Sequence, residues 1–253
     1  MWSEPLYSGI GDDGASHGNR LADRSYAKGC SRATFLFSSL VYLHSLGRSM
    51  TMEQLAQRKT EIRKTAHAAR KSQQDKDQIS ERITSKVTSL PEYETANCVM
   101  WYVDVRDEAR TRHALPEALA SGKRVVIPYC VDGELELFHL ESMEEMETGM
   151  YKILEPRSDL RDVAAKQVAV GELDLILVPG VAFDDRGGRT GHGKGYYDKL
   201  LENAKPETPL ISLAFECQMF DEIPMQDHDI FMDKVVTEEK VYDGIGRKGQ
   251  TEA

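Results

Sequence analysis

Between Asp184 and Asp198 the chain reads DDRGGRTGHGKGYYD, which sets Gly187, Gly188, Gly191, Gly193 and Gly195 among Arg189, His192 and Lys194. Glycines let backbone amides come close to an anion, and a helix opening at Tyr196 turns its positive end toward the same place. Cations interleaved with the glycines neutralise charge that the amides leave, so the pattern points to a phosphate-bearing ligand. A flexible surface turn would account for the glycines but not for the cations among them. Gly188 to Lys194 fits the GxxxxGK of a P-loop, yet Gly195 stands where Ser or Thr would hold magnesium, which disfavours an ordinary P-loop NTPase. The spacing Gly191-x-Gly193-x-Gly195 also departs from the GxGxxG of a dinucleotide loop. If magnesium accompanies the phosphates, a carboxylate must replace the missing hydroxyl, and Asp198 lies one turn into the helix. A second carboxylate source is QMFDEIPMQDHDIFMD, Gln218 to Asp233, where Asp229 beside His228 is the candidate. An acidic loop of this kind reads equally as solvated surface, and it counts only if the fold brings it to the glycines.

The elements that must position these residues follow from periodicity. Met52 to about Lys71 contains helix formers without Gly or Pro and predicts a helix. On that helix Lys59, Arg63 and Arg70 fall within roughly 40° of one another, beside an apolar face of Leu55, Ile62, Ala66 and Ala69. Such a basic stripe is also what a solvated face looks like. A second helix is predicted from Ser72 or Asp75 to Ser89, ending before Pro91, then a buried strand from Cys98 to Val105. His113 to Ser121 reads as helix, Arg124 to Pro128 as a strand stopped by its proline, and Leu135 to His139 as a strand after the Asp132-Gly133 turn. Tyr151 to Pro156 reads as an extended loop. The continuous apolar run Leu173 to Val178 (LDLILV) predicts a central parallel strand, and a helix over Tyr196 to Ala204 follows the glycine loop. Ile211 to Phe215 is a further strand, and Val235-Val236 is expected to end the sheet. The alternation of strand and helix predicts one α/β domain from about residue 51 to 245.

The chain of 253 residues is acidic, with a net charge of −10. That charge opposes general nucleic-acid binding or an anionic membrane surface, so an anionic ligand must meet a local basic patch. No apolar run reaches the ~18 residues of a membrane span. Cys30, Cys98, Cys130 and Cys217 show no CxxC pair or zinc spacing, which suits thiols in a reducing compartment. Residues 1–50 are rich in Gly, Ser and Asp and carry a short apolar run, Ala33 to Leu46, placed unlike a secretory or mitochondrial leader. They are expected to be a disordered or mis-assigned extension, with the patterned chain opening at Met50 or Met52.

Taken together, these residues resemble the 5-formyltetrahydrofolate cyclo-ligases, also called 5,10-methenyltetrahydrofolate synthetases. The resemblance rests on LVPGVAFDDRGGRTGHGKGYYD (Leu177 to Asp198), on LAFECQ...IP...HDIFMDKVVTEE (Leu213 to Glu239), on Lys59-x-x-x-Arg63 with Arg70 beyond, and on the Asp107-Glu108 pair. It covers about residues 55 to 240 and leaves the first fifty outside. It implies a three-layer α/β domain, over residues 51–253, whose central sheet is mostly parallel or mixed and flanked by helices. It also implies ATP and Mg2+ acting on a reduced folate, through a phosphorylated formyl group, in a cytoplasmic monomer. Lys59 and Arg63 would contact ATP phosphates, and Arg189, Thr190, Gly191, His192, Gly193, Lys194, Gly195, Tyr196 and Tyr197 would wrap the nucleotide. Arg189 and Lys194 would stabilise the transferred phosphate, while Asp198 and Asp229 would hold magnesium. Arg63, Val103, Glu108, Tyr151 and Tyr196 would meet the folate. One ring of the Tyr196-Tyr197 pair is expected in the core and one at the site. The segment opened by Tyr151 reads YKILEP where the family commonly has YGILEP, so Lys152 takes the place of a glycine. Two other readings stay open on the residues alone: an ATP-dependent kinase or ligase for another small anion, and a non-catalytic folate or nucleotide binder.

Overall fold

The LDLILV run settles where the sheet is centred. In the computed structural model, which describes residues 51–149 and 153–250, eleven strands are numbered in chain order. They are β1 (Cys98–Met100), β2 (Arg124–Val131), β3 (Glu134–Leu140), β4 (Met146–Thr148), β5 (Leu154–Pro156), β6 (Leu175–Val178), β7 (Ala182–Phe183), β8 (Arg189–Thr190), β9 (Leu210–Leu213), β10 (Lys234–Val236) and β11 (Val241–Asp243). Seven of them form one sheet in the order β11-β10-β9-β6-β1-β2-β3, with β6 in the middle and buried throughout. The five inner strands are parallel, and β3 and β11 close the two edges antiparallel. The sheet is therefore mixed, as expected. The pairs β4–β5 and β7–β8 stand apart as small hairpin sheets.

Strand side chains alternate between faces, and the core divides accordingly. Val99, Val125, Leu175, Leu177, Ile211 and Leu213 pack on one face against Ile79, Ile83 and Val87 of α2 (Lys76–Thr88), with Leu115 of α4 (Leu115–Ala120). Tyr93 of the short α3 (Pro91–Thr95) joins them, edge-on to Trp101. Met100, Val126, Ile176, Val178, Leu210 and Val235 pack on the other face against Leu200 and Leu201 of α5 (Tyr196–Glu202). Helix α1 (Met52–Ser72) begins with a capping box between Thr51 and Gln54, which satisfies amides of its first turn. Its Ile62 and Ala66 form a third, smaller cluster with Val181, Ala182 and Ile223, just beyond the ends of the central strands. A last short helix, α6 (Gly246–Gln250), closes the described chain.

Three expectations are corrected. Pro128 does not stop its strand: β2 continues to Val131, because β1 ends opposite Val126 and asks no amide proton of residue 128. Residues 101–105 leave the sheet after Met100, so the predicted Cys98–Val105 strand is short and its remainder becomes loop. Val235-Val236 does not end the sheet, since the half-exposed β11 pairs outside it. The Asp132-Gly133 turn forms as expected, with φ +48 and +86 suiting the tight hairpin. The readings of residues 1–50, Tyr151 and Lys152 lie outside the described residues.

Leu177 is fully buried in the middle strand. Leu177→Ala is expected to cost about 2–5 kcal/mol, read from the shift of the denaturant midpoint.

Candidate functional site

The chain runs from β1 outward through β2 and β3, then returns to β6 on the other side of β1 and moves outward through β9 and β10. The reversal makes a topological switch point between β1 and β6, and open α/β sheets hold their ligands outside the carboxyl ends of the strands at such a point. Three loops leave those ends. Residues 101–112 follow β1, residues 179–195 follow β6, and residues 214–229 follow β9. They carry Val103 and Glu108, the glycine loop, and Asp229.

The glycine loop is rooted by Asp184, which is fully buried. Its carboxylate accepts the amides of Gly188 at 2.7 Å and Arg186 at 3.1 Å, and also that of Ile223 at 2.8 Å in the loop after β9. One carboxylate thus joins two of the three loops. Four of the five glycines divide into two pairs, while a Cβ on Gly191 would lie 3.3 Å from the Arg189 guanidinium. Gly187 has φ +86, and a Cβ there would lie 2.2 Å from the Met232 carbonyl oxygen; a Cβ on Gly188 would lie 2.5 Å from Asp184. These two serve packing. Among the described residues, a Cβ on Gly193 would meet only Arg63, at 3.8 Å, and one on Gly195 would meet nothing, although both have positive φ. The tip, not the root, is open to a ligand.

The basic face of α1 is turned inward, so it is not a solvated stripe. Lys59 is buried and ion-paired with Asp229, and its ammonium also lies 3.4 Å from the Gln226 side chain. Asp229 in turn accepts the Gln226 amide at 2.7 Å. One turn on, Arg63 Nε donates to the Gly191 carbonyl at 2.8 Å. Arg70, also buried, donates to the Gly180 carbonyl at 3.1 Å. A single helix face therefore reaches the glycine loop and the Asp229 loop together, the condition under which the acidic loop counts.

Arg189 is buried, pairs with Asp198, and reaches the Pro179 carbonyl at 3.4 Å, while its Nε and the Thr190 hydroxyl are buried without a hydrogen-bond partner among the described residues. Lys194 is exposed, its ammonium 5.5 Å from the centre of the Tyr196 ring. Tyr197 packs into both core clusters. Burial, and then the nearby Glu108 charge, push its phenol well above the ordinary range. Tyr196 lines a groove of about 470 Å³ between β3 and α5, with Leu135, Leu137, Val168 and Leu200. The two rings diverge: Tyr197 enters the core as expected, while Tyr196 lies in the groove between β3 and α5.

Across the switch point, Val103 packs at the core margin and Glu108 is 5% exposed in a loop of residues that lack regular structure. Glu108 accepts the Val105 amide at 3.0 Å across a turn in which Arg106 has φ +56, a conformation uncommon outside glycine. Its other oxygen lies 3.6 Å from His192 Nε2. Asp107 points elsewhere: a hydrogen bond from Lys76 at 2.6 Å holds its carboxyl below the usual range. The sequence reading missed Asp184, Gln226 and His67. His67 falls on the same face as Lys59 and Arg63 and could have been found by that spacing, while the other two depend on long-range packing.

Among the described residues no group of three or more His, Cys, Asp or Glu side chains gathers at a metal-binding spacing. Asp198 and Asp229, each facing a cation, offer hard oxygen donors. Magnesium takes one or two such carboxylates and completes its shell with phosphates and water, so this donor set fits it.

Loops from parallel strand ends converging on a switch point, with buried cations beside an open glycine tip, define an α/β enzyme with a crevice for an anionic ligand. The particular family follows from the sequence as a whole: a model of the 5-formyltetrahydrofolate cyclo-ligase family matches residues 55–238, and the chain belongs to that family. Among its relatives, a probable 5-formyltetrahydrofolate cyclo-ligase of Schizosaccharomyces pombe is 32% identical over 183 residues, covering 67% of this chain and 88% of the relative. The 5-formyltetrahydrofolate cyclo-ligase of Escherichia coli K12 is 29% identical over 186 residues, covering 72% and 99%. The solved structure of Aquifex aeolicus 5,10-methenyltetrahydrofolate synthetase superposes with a TM-score of 0.63 at 33% identity, covering 73% of this chain and 92% of that one.

Gly187→Ala is expected to destabilise the fold by roughly 2 kcal/mol or more, because positive φ and the Met232 contact both oppose a side chain. Gly193→Ala carries only the φ cost, about 1 kcal/mol. Chemical denaturation of the two variants side by side checks the order.

Proposed function

We propose that this enzyme closes 5-formyltetrahydrofolate to 5,10-methenyltetrahydrofolate at the expense of ATP, releasing ADP and phosphate. The observation that carries this reading is the double reach of α1, with Arg63 on the Gly191 carbonyl and Lys59 on Asp229. Those contacts gather cations, open amides and carboxylates into one crevice, as transfer of a phosphoryl group requires.

The chemistry explains the need for ATP. A formyl carbon on N5 is amide-like and a poor electrophile, and its oxygen is a poor leaving group. In the proposed sequence the formyl oxygen attacks the γ-phosphorus and the bond to ADP breaks, giving an N5-iminium phosphate. N10 of the same molecule then adds to that carbon and loses its proton, and the carbon–oxygen bond breaks to release phosphate. No protein nucleophile takes part. Lys194, Arg189 and the amides from Thr190 through Gly195 stabilise the phosphate oxygens, with Lys59 and Arg63 on the ATP phosphates and Tyr197 bracing the loop from the core. Asp198 and Asp229 would hold Mg2+, which supplies further neutralisation of the ATP oxygens. Glu108 accepts hydrogen bonds from the donor edge of the pterin, beside Val103, Arg63 and Tyr196, and Tyr151 completes the folate contacts. Residues 51–253 form the catalytic domain of a cytoplasmic monomer. The free Cys98, Cys130 and Cys217 suit a reducing compartment, and no helix among the described residues is long and apolar enough to cross a membrane.

Absorbance of the methenyl product after mixing protein, ATP and 5-formyltetrahydrofolate tests the reading directly. A protein that consumes no ATP in the presence of this folate refutes it. Lys194→Ala and Asp198→Ala are each expected to lower kcat about a hundredfold or more with the fold intact by circular dichroism. Glu108→Ala is expected to raise the folate KM about tenfold while changing kcat much less, since it removes a binding contact rather than a phosphate contact.

A further inference from the structure

The tip of the glycine loop has little that fixes it from within. Residues 191–195 form no helix or strand, and Gly193 and Gly195 sit at φ +86 and +70, where the absence of a side chain leaves the backbone free. Its order must come from neighbours. Arg63 supplies one restraint through the Gly191 carbonyl. The second is a ring contact. His67, one turn further along α1, stacks on His192 with centroids 5.3 Å apart and planes 30° from parallel. His192 then presents Nε2 to Glu108 Oε1 at 3.6 Å. The imidazole of His192 thus stands between a helix that restrains the loop and a carboxylate on the far side of the switch point.

We propose that His67 is a positioning residue whose ring, through His192, holds the tip of the glycine loop in the conformation that receives the phosphates of ATP and keeps His192 facing Glu108. This rests on the reading of the loop as the nucleotide site. The contact uses ring faces rather than a hydrogen bond, so an aromatic ring without nitrogen should serve. It also needs at least one neutral imidazole, because two cations so close repel. The surroundings of His67 favour its neutral form. Partial burial, then Arg70 on the same helix, His192 of the loop and Arg106 of the segment after β1 lower its pKa below 6.5, against the opposing Asp107. His192 has the Glu108 carboxylate on its other side.

The test uses the full chain as wild type, His67→Ala and His67→Phe, with two readouts. The first needs no nucleotide: trypsin cleavage after the exposed Lys194, followed by mass spectrometry. His67→Ala is expected to be cut several times faster than wild type, and His67→Phe at close to the wild-type rate. The second is ATP affinity by calorimetry with steady-state kinetics. His67→Ala is expected to weaken ATP binding roughly three- to tenfold, the range of an aromatic pair, with the loss appearing in KM for ATP far more than in kcat. His67→Phe should recover most of it. Equal cleavage of all three proteins, or a His67→Phe variant as defective as His67→Ala, overturns the inference. The expected cleavage pattern without ATP binding by any of the three supports the ring clamp and overturns the nucleotide reading instead.

Discussion

Everything at the crevice depends on the rotational setting of one helix. Lys59, Arg63, His67 and Arg70 lie along one face of α1, and each meets a different residue: Asp229, Gly191, His192 and Gly180 in turn. A slip of one residue would turn that face by about 100° and dismiss all four contacts together. The setting is fixed at the apolar side by Ile62 and Ala66 against Val181, Ala182 and Ile223. It is fixed at the polar side by the buried Lys59–Asp229 pair, where loss of either partner would strand a charge at a cost of about 3–5 kcal/mol. Packing and electrostatics therefore select the same orientation, and a helix contributed from outside the sheet becomes a structural member of the site.

The sheet supplies what α1 needs to reach. Reversal of strand order between β1 and β6 puts the Glu108 segment on one side of the switch point and the glycine loop on the other. Asp184, by accepting amides from Gly188 and Ile223, binds the loop after β6 to the loop after β9. The loops after β6 and β9 are thus tied at their base by backbone hydrogen bonds to a buried carboxylate, and further out by Arg63 and Lys59 of α1.

Features whose cause is local were legible in the sequence. The LDLILV run, the Asp132-Gly133 turn and the divergence of Tyr196 from Tyr197 each follow from a few adjacent residues. The basic stripe was ambiguous because its spacing is the same whether the face meets water or protein; only Ile223 and Asp229, far along the chain, decide it. Pro128 misled because the rule that proline ends a strand supposes a neighbour on that side, and β1 has already ended there. The β11 edge escaped because a half-exposed strand carries no apolar run to announce it. His67 shared the helical spacing of the cations yet drew no attention, since a ring contact leaves no charge pattern. The glycines looked alike as letters, and only the positions of the Met232 carbonyl and the Asp184 carboxylate separate those that pack from those that are open.

That separation has a consequence for what constrains each part of the loop. At its root, Gly187 and Gly244 both abut the Met232 carbonyl oxygen, which would lie 2.2 and 2.1 Å from any Cβ placed on them. Three main-chain segments meet there with no room for a side chain, so the anchorage is written in backbone shape and is indifferent to what the enzyme binds. Beyond it, Gly193 and Gly195 leave room around the backbone, and the tip that holds them is shaped by side chains borrowed from α1. The root is therefore constrained by backbone shape alone, whereas the tip answers to two demands at once, the helix that holds it and the anion it would meet.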